Sequence, residues 1–420
     1  MLHVFKNSWA LLLGMMLLML GNGLQGSLLS VRGGEAGFSA FEMSMVMSAY
    51  FLGFLFSSRM TPELIRRVGH VRVFAALGSF ISAVLIMYPT FEHPLVWTLG
   101  RVVIGFCYCG VYVTAESWLN NAATNETRGQ SLSLYMIVQM VGIIASQALL
   151  LVPDSSGYLL YVIPSVLVSI AFAPILLSIT PTPAFETTKP MSLSDLYRVS
   201  PLGCVGMFLL GGVFSAQFGM AAVYGTQAGM TLQQISMFVA SFYVGALLLQ
   251  YPLGYMSDRM DRRQLITGCA AIGGGAAAVA VMLNGNFTML LVAAFLIGGM
   301  SNPLYSLLIA YTNDFLGVED MAASSGGLLF INGLGAIAGP LITGWLIEVV
   351  GPGGYFVFIG ALMLSLAVYA LYRMTQRAAP SVEDTAAYSP LAAGSSPVAV
   401  EVAQELAIES SQEDSQDAAA

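Results

Sequence analysis

Apolar runs of about 20 residues recur along most of the chain, and this repetition constrains the fold more than any other feature. A helix needs about 20 apolar residues to cross the hydrocarbon core of a bilayer. The sequence contains twelve such runs, with approximate limits 9–30, 44–58, 73–90, 95–116, 130–152, 158–180, 202–225, 235–257, 264–283, 287–312, 325–349 and 354–374. Since lipid offers no partners to backbone polar groups, these runs predict an all-α membrane protein with twelve transmembrane helices.

The composition agrees with a membrane protein, because 57% of residues are hydrophobic and only 9% are charged, against roughly 25% charged in soluble domains. Of the 23 acidic residues, eight follow Pro380, where there is no Lys or Arg. The rest of the chain therefore balances 15 acidic against 15 basic residues. The acidic pI belongs to the C-terminal segment, and we expect no nucleic-acid partner.

The positive charges predict the orientation. The first run follows Lys6 and lacks an Ala-x-Ala cleavage site, so we expect an uncleaved first helix. If the N-terminus is cytoplasmic, Arg32 is the one basic residue outside, Arg101 lies within a span, and thirteen others are inside. These thirteen are Lys6, Arg59, Arg66, Arg67, Arg72, Arg128, Lys189, Arg198, Arg259, Arg262, Arg263, Arg373 and Arg377. The positive-inside rule thus predicts a multi-pass protein of the bacterial inner membrane with both termini cytoplasmic.

An internal repeat divides the chain into halves. Residues 47–53 resemble residues 239–245 at an offset of 192, and Gln139 falls opposite Asn332 at an offset of 193. We expect an N-terminal six-helix bundle at 1–180, a cytoplasmic linker at 181–200 and a C-terminal six-helix bundle at 201–377. The acidic, Ala- and Ser-rich segment 378–420 is expected to be disordered, either a spacer or a regulatory or partner-binding tail.

The loop between helices 8 and 9 carries the pattern Gly-x-x-x-Asp-Arg-x-x-Arg-Arg, from Gly254 to Arg263. Together with twelve helices in two repeats, this pattern resembles the major facilitator superfamily over residues 1 to about 377. An Arg and a Glu-Ser pair on helix 4 resemble its bacterial, YcaD-like branch. In the family the signature is stronger after helix 2, but here that copy has Arg66 where the family has Asp.

The resemblance implies a transporter whose bundles alternate access to a midplane cavity, with cytoplasmic loops acting as a gate. Asp258 is expected to cap the start of helix 11 near Ser324 and Ser325, where free N–H groups favour a carboxylate. The expected ion pairs join Arg259, Arg262 and Arg263 to Asp314, Glu319 and Asp320, and Arg66, Arg67 or Arg72 to Glu116 and Glu126. The alternative is that these arginines only anchor at lipid headgroups.

Arg101 is the most informative single residue. It lies about 10 Å into helix 4, and a charge at that depth usually faces a cavity or a partner. Gly105, Tyr108 and Tyr112 follow it on one helical face, and Glu116 is slightly rotated from that face. The segment resembles a family element whose Arg is linked to proton coupling or to hydrogen bonding with helix 1, so both roles remain open. Glu116 is a candidate proton acceptor or, preferably, an ion-pair partner.

Further polar and aromatic side chains inside spans are candidates for substrate binding or helix packing. They are Asn22, Gln25, Gln139, Gln217, Tyr224, Asn302, Tyr305 and Asn332. In the family, helices 1, 4, 7 and 10 line the central cavity. This neutral, aromatic set suits an uncharged or weakly anionic organic substrate, and scattered His and Cys residues predict no metal site or cofactor.

The predicted function is secondary active transport of a small organic molecule, proton-coupled and by a monomer. A facilitated uniporter is the alternative for coupling, since no carboxylate lies deep in a span. A non-transporting membrane sensor or scaffold of the same fold is the alternative class. An enzyme is not expected, because no nucleophile–base pair or metal cluster is evident. Helix 5 has Gly142 but no Pro, so an antiporter Gly-Pro element is missing there and drug export is disfavoured.

Overall fold

The computed structural model describes residues 2–122, 125–176, 191–283, 285–316 and 318–377. Beyond these it describes Tyr388, Leu391, Ser396, 398–400 and 402–403. For residues 2–8, 121–122, 125–128, 174–176, 318–319 and 322 only the backbone is described. Lys189, and the side chains of Lys6, Glu126, Arg128 and Glu319, therefore lie outside the described residues.

Twelve transmembrane segments follow one another along the chain. They are α1 (Leu2–Glu35), α2 (Ala40–Val68), α3 (His70–Met87), α4 (Pro94–Ala122), α5 (Asn125–Leu149), α6 (Leu159–Leu176), α7 (Pro201–Gln227), α8 (Leu232–Ser257), α9 (Arg262–Met282), α10 (Phe287–Asn313), α11 (Val318–Val350) and α12 (Gly354–Gln376). Eleven are long and apolar enough to cross a membrane, and α6 supplies a shorter apolar stretch, Leu159–Ala173. A linker helix, Leu193–Val199, precedes α7. The predicted all-α, twelve-helix class is confirmed.

The two halves start their second helices in the same way. Ser39 accepts a hydrogen bond from the N–H of Glu42, whose side chain accepts one from the N–H of Ser39. Thr231 and Gln234 form the same capping box at the start of α8. Such a cap contributes about 1 kcal/mol by satisfying otherwise free N–H groups. The two boxes are separated by the repeat offset of 192 residues.

Glycines allow an equivalent close helix crossing in each bundle. In the first, α2 crosses α4, and a Cβ added at Gly105 would lie 1.9 Å from the carbonyl oxygen of Tyr50. In the second, α8 crosses α10, and a Cβ at Gly298 would lie 2.1 Å from the carbonyl oxygen of Phe242. Small residues let membrane helices approach until their backbones touch. The crossings are repeat equivalents, so the two bundles are built on one plan.

A second pair of equivalent contacts joins α1 to α5 and α7 to α11. A Cβ added at Gly23 would lie 2.2 Å from the Ser146 hydroxyl, and one at Gly339 would lie 2.1 Å from the Ser215 hydroxyl. Gly23 corresponds to Ser215 at an offset of 192, and Ser146 corresponds to Gly339 at an offset of 193. The glycine and the serine have thus changed places between the two halves.

The two bundles meet along α2 and α11, α5 and α8, and α1 and α7. We call the face with the loops after α2, α8 and α10 the tail face, and the other the opposite face. Near the opposite face, Glu348 accepts a hydrogen bond from the N–H of Phe41 at 2.9 Å. There the Ser236 hydroxyl also donates to the carbonyl of Gln147 at 2.7 Å. These contacts join the bundles at the opposite face.

The C-terminal segment departs from the predicted disorder wherever it is described. Leu391 and Ser396 are at most 1% exposed, and residues 398–400 and 402–403 are also buried. They lie against the two bundles at the tail face. The charge and low complexity of the whole segment predicted disorder, and the short run of Val and Ala that packs was not recognised as a buried stretch. For these residues the prediction of disorder is corrected.

Candidate substrate cavity

Arg101 begins a row of hydrogen bonds on the inner faces of α4 and α1. Its guanidinium donates to the side-chain oxygen of Gln25 at 3.0 Å. Gln25 in turn donates to Asn22 at 3.0 Å, and Asn22 donates to the Tyr112 hydroxyl at 2.9 Å. The ring of Tyr50 lies 4.8 Å from the guanidinium carbon, which places the cation over an aromatic face. The row therefore holds a charge in place with neutral partners.

The energetics of Arg101 depend on these partners, because the residue is only 4% exposed. Placing a charge at this depth costs about 3 kcal/mol on insertion scales. One charge-assisted hydrogen bond returns about 2 kcal/mol, and a desolvated cation–π contact about as much. The guanidinium Nε has no hydrogen-bond partner, and no carboxylate of the described residues lies within ion-pair distance. Arg101 is thus tolerated without being neutralised.

Arg101 faces a cavity of about 180 Å³ between the bundles. Seven predicted residues line it, namely Arg101, Asn22, Gln25, Tyr112, Gln139, Asn302 and Asn332. Aromatic side chains from both halves complete the wall, namely Tyr50, Phe51, Phe54, Phe214, Phe218 and Tyr243. Amides, phenols and one guanidinium therefore face the cavity, and none of the described lining residues is Asp, Glu or His.

Four predicted residues pack elsewhere. Tyr108 donates to the carbonyl of Leu18 at 3.4 Å, and Gln217 donates to the hydroxyl of Ser301 at 2.9 Å, so both join helices within a bundle. Tyr224 stacks on Tyr355 with ring centroids 5.0 Å apart. Tyr305 lies 6.1 Å from the ring of Phe214, outside the cavity wall. The sequence placed these four residues on the correct helices. It did not predict which side of each helix faces the cavity.

Two features of the wall were not predicted from the sequence. Tyr50 and Tyr243 lie within apolar helices, where an aromatic residue reads as ordinary packing. Residues Ala216–Met220 of α7 form a π-helical turn, and Phe218 and Gly219 in that turn line the cavity. Such turns are common at functional sites. The internal repeat was an available signal, because the equivalents of Tyr50 and Tyr243 at an offset of 192 are Phe242 and Phe51.

The predicted gate in the α8–α9 loop is partly different in the structure. Arg262 forms an ion pair with Asp314, as expected, and both side chains are 2% exposed. Arg263 instead pairs with Asp261 at 2.8 Å. The Arg259 guanidinium carbon lies 3.6 Å from the Tyr255 ring centroid, and no ion pair joins it to Asp314 or Asp320, the acids of the next loop whose side chains are described. Among the described side chains, the Arg262–Asp314 pair is therefore the one expected cross-loop pair that is present.

Asp258 does not cap α11, and that expectation is corrected. The helix begins at Val318, so the amides of Ser324 and Ser325 lie in its second turn and not at its free end. Asp258 instead accepts a hydrogen bond from the N–H of Tyr388 at 2.9 Å. Burial raises the pKa of Asp258, and the Tyr388 N–H and nearby Arg262 oppose that rise only in part.

The expected pairing of the first-half arginines with Glu116 is also corrected, whereas a pair with Glu126 lies outside the described side chains. Arg66 pairs with Glu63 at 2.5 Å within α2, and Arg67 pairs with the same carboxylate at 2.7 Å. Residues three and four apart on a helix are natural partners, and this local pair is simpler than the expected reach to α4. Glu116 is 3% exposed and accepts a hydrogen bond from the Tyr135 hydroxyl at 3.1 Å. Its other partners lie in the C-terminal segment.

Two six-helix bundles built on one repeat and enclosing a central cavity define the class of this chain as a two-fold repeated membrane transporter. The family model of the Major Facilitator Superfamily matches residues 11–227 and again residues 203–403. The chain belongs to this superfamily, and the family resemblance seen in the sequence is confirmed.

Relatives of similar sequence support the predicted branch. An uncharacterized MFS-type transporter YcaD of Salmonella arizonae is 26% identical over 347 residues, which cover 80% of this chain and 88% of the relative. YcaD of Salmonella heidelberg is 25% identical and covers 84% and 92%. YcaD of Salmonella typhi is 24% identical and covers 88% and 96%.

Solved structures confirm the fold. The crystal structure of the nucleoside transporter NupG superposes with a TM-score of 0.70 at 13% identity, covering 88% of this chain and all of NupG. The D323A mutant of NupG gives a TM-score of 0.72 at 15% identity, covering 86% and 99%. At these identities the likeness is one of fold alone.

Proposed function

We propose that this protein is a secondary transporter that moves a small organic molecule across the bacterial inner membrane by alternating access. The observation that supports this proposal is the cavity shared by the two bundles, with the buried Arg101 on its wall. The contacts of Glu348 and Ser236 close the bundles at the opposite face. Rocking of the bundles about the cavity would break these contacts and make others at the tail face.

The lining supports an uncharged or weakly anionic aromatic substrate. Arg101 supplies one fixed cation, the amides of Asn22 and Gln139 supply donors and acceptors, and Tyr50 and Tyr243 supply faces for stacking. NupG is a nucleoside transporter, and nucleosides belong to the uncharged class to be tested. Carboxylates with an aromatic ring form the anionic class.

In this proposal Asp258, Arg259, Arg262 and Arg263 form the tail-face gate together with their partners. The Arg262–Asp314 pair fixes the start of α9 to the end of α10 while both remain in one bundle. Such a brace lets the bundle move as a unit. The tail face would be cytoplasmic, both termini would lie there, and the transporter would act as a monomer in the bilayer.

Proton coupling, the mode favoured by the sequence, requires a titrating group. The described cavity wall contains no Asp, Glu or His, so coupling would have to use Glu116, one turn beyond Tyr112 on α4. Facilitated uniport is the second candidate, and it is favoured because the described cavity wall contains no Asp, Glu or His. A proton gradient applied across the membrane distinguishes the two, since only the coupled transporter accumulates substrate.

The test uses purified protein in proteoliposomes. Labelled nucleosides and aromatic monocarboxylates are first screened by thermal stabilisation, and the compounds that bind are then assayed for uptake with and without an inward proton gradient. Arg101→Gln is expected to reduce uptake of an anionic substrate at least tenfold, with Arg66→Gln at the exposed pair as the matched control. Binding without uptake by wild-type protein would favour the non-transporting sensor or scaffold.

A further inference from the structure

The described residues of the C-terminal segment touch both bundles at the tail face of the cavity. Tyr388 and Leu391 contact α8 and α10, whereas Ser396 and Ala399 contact α4. Ala399 and Val402 also line a small pocket shared with α4 and α5. A segment expected to be a solvated tail thus connects the two halves.

The first attachment uses one face of α8. Gln250, Gly254 and Asp258 are spaced by four residues, so they form a single row. Gln250 donates to the Tyr388 hydroxyl at 3.4 Å, and Asp258 accepts from the N–H of Tyr388 at 2.9 Å. A Cβ added at Gly254 would lie 2.7 Å from the Tyr388 ring. The glycine of the loop signature therefore leaves room for this tyrosine.

On α10, Ser306 completes this attachment. Its hydroxyl accepts a hydrogen bond from the N–H of Leu391 at 2.8 Å, and the Leu391 side chain is buried. Ser306 lies one helical turn beyond the cavity residue Asn302. The attachment therefore begins directly on the tail-face side of the cavity wall.

The second attachment uses the buried carboxylate of Glu116. It accepts hydrogen bonds from the backbone N–H groups of Ser396 and Ala399, both at 3.2 Å, and from the Ser396 hydroxyl. Tyr135 is the one donor outside the segment among the described partners of this carboxylate. Burying a carboxylate is unfavourable unless donors replace water, and here the segment supplies three of the four.

The position of these attachments relative to the cavity is the decisive point. Glu116 lies one turn beyond Tyr112 on α4, and Tyr135 lies one turn beyond Gln139 on α5, where a turn spans about 5.4 Å. Tyr112 and Gln139 line the cavity. The described residues of the segment thus contact α8 and α10 on one side of the cavity's tail-face end and α4 and α5 on the other.

We propose that the vestibule at the tail face is a binding site for the chain's own C-terminal segment, which closes the cavity on that side. The ligand class is a short peptide of small apolar residues whose N–H groups bind Glu116 and Asp258. Closure of the cavity follows from this docking alone. Its effect as an inhibitor of transport rests on the proposed function.

The test measures access to the cavity and needs no substrate. Asn302→Cys places a thiol in the cavity wall, and the four native cysteines are buried, which keeps the background low. The purified full-length protein and a chain ending at Arg377 are treated with a small charged methanethiosulfonate. We expect modification of the shortened chain to be at least tenfold faster. A synthetic peptide of residues 388–403 should restore protection, whereas a scrambled peptide should not.

A full-length variant is the control for possible misfolding of the shortened chain. Ala399→Asp places a second carboxylate beside Glu116 and should release the segment by repulsion, giving the same faster modification. Equal rates in the wild-type background, the shortened chain and Ala399→Asp, all eluting as monodisperse protein, would overturn the proposal. Absence of transport by the shortened chain with native Asn302, while Asn302→Cys stays protected in the full-length chain, would refute the proposed function and leave docking intact.

Discussion

At the scale of single residues, some charged side chains form ion pairs, whereas others have only neutral groups as partners. Arg101 keeps its charge through an amide, a thioether and an aromatic ring. The buried carboxylate of Glu116 accepts hydrogen bonds from the Tyr135 hydroxyl and from the N–H of Ser396 in the C-terminal segment. A neutral environment leaves each group able to gain a new partner. Residues of this kind are suited to binding ligands.

Asp154 is a residue held by both charge and hydrogen bonds, and it lies in the loop between α5 and α6. It pairs with Arg32 at 3.1 Å and accepts hydrogen bonds from the Ser156 hydroxyl at 2.7 Å and the Gly157 N–H at 2.9 Å. Burial alone would raise its pKa, but these hydrogen bonds lower the pKa overall. A lowered pKa stabilises the fold above the usual value and loses that effect as the pH falls.

We therefore expect Asp154→Asn to lower the melting temperature at pH 7 by about 2 °C, for a loss of about 1 kcal/mol or more. The difference from wild type should shrink as the pH is lowered below about 4. Glu35→Gln is the matched control, because Glu35 pairs with the same Arg32 at the surface and should change stability little. The measurement is thermal unfolding in detergent from pH 3.5 to 8. A constant difference across this range would contradict the assignment.

The residues that the sequence predicted well are those whose chemistry is unusual for a membrane span. Arg101, Asn22 and Gln25 are polar in apolar helices, and all three line the cavity. Tyr50 was not predicted, because an aromatic side chain suits either a core or a cavity. The expected ion pair of Glu116 was wrong, because three of its four described hydrogen bonds come from Ser396 and Ala399, 280 residues or more along the chain. Spacing on one helix holds no information about such contacts.

At the scale of helices, run length predicted the elements and glycine placement set their contacts. Each apolar run became a helix because a bilayer crossing requires one. The crossings at Gly105 and Gly298 then fix which helices touch, since backbone atoms meet there directly. The π-helical turn at Ala216–Met220 was not predicted, because no sequence pattern marks where a helix takes in an extra residue.

Adding a methyl group at these crossings should force the helices apart. Gly105→Ala and Gly298→Ala place a Cβ within about 2 Å of a carbonyl oxygen on the facing helix, and overpacking of this kind costs about 1–3 kcal/mol. Gly268→Ala is the control, because no atom lies within 4 Å of its added Cβ, and Ala is the better helix former. Fluorescence-detected thermal stability should fall for the first two variants. A fall of equal size for Gly268→Ala would contradict this account.

At the scale of the whole molecule, the charge distribution and the internal repeat predicted the architecture. Neither of them predicted that the C-terminal segment docks. The division into two bundles follows from offsets that remain at 192 or 193 residues. The Arg262–Asp314 pair joins neighbouring loops and was foreseeable from their charges. The attachment of Leu391 to Ser306 was not, because a backbone N–H can bind any acceptor.

Orientation in the membrane is a prediction for the whole molecule. Ser155 lies exposed at the opposite face and Ser194 lies exposed in the linker helix at the tail face. In intact cells, a membrane-impermeant maleimide should label Ser155→Cys and leave Ser194→Cys unlabelled until the cells are opened. The native cysteines are buried, so the unsubstituted chain serves as the control. Labelling in the reverse order would contradict the positive-inside assignment.

The exchanged glycine and serine described above have a consequence for how these sequences can change. Gly23 faces Ser146 in one half, and Ser215 faces Gly339 in the other. The contact accommodates one hydroxymethyl group, supplied from either helix. A larger side chain at either glycine is therefore accommodated only if the facing serine moves or becomes smaller, so we expect the two facing positions to vary together.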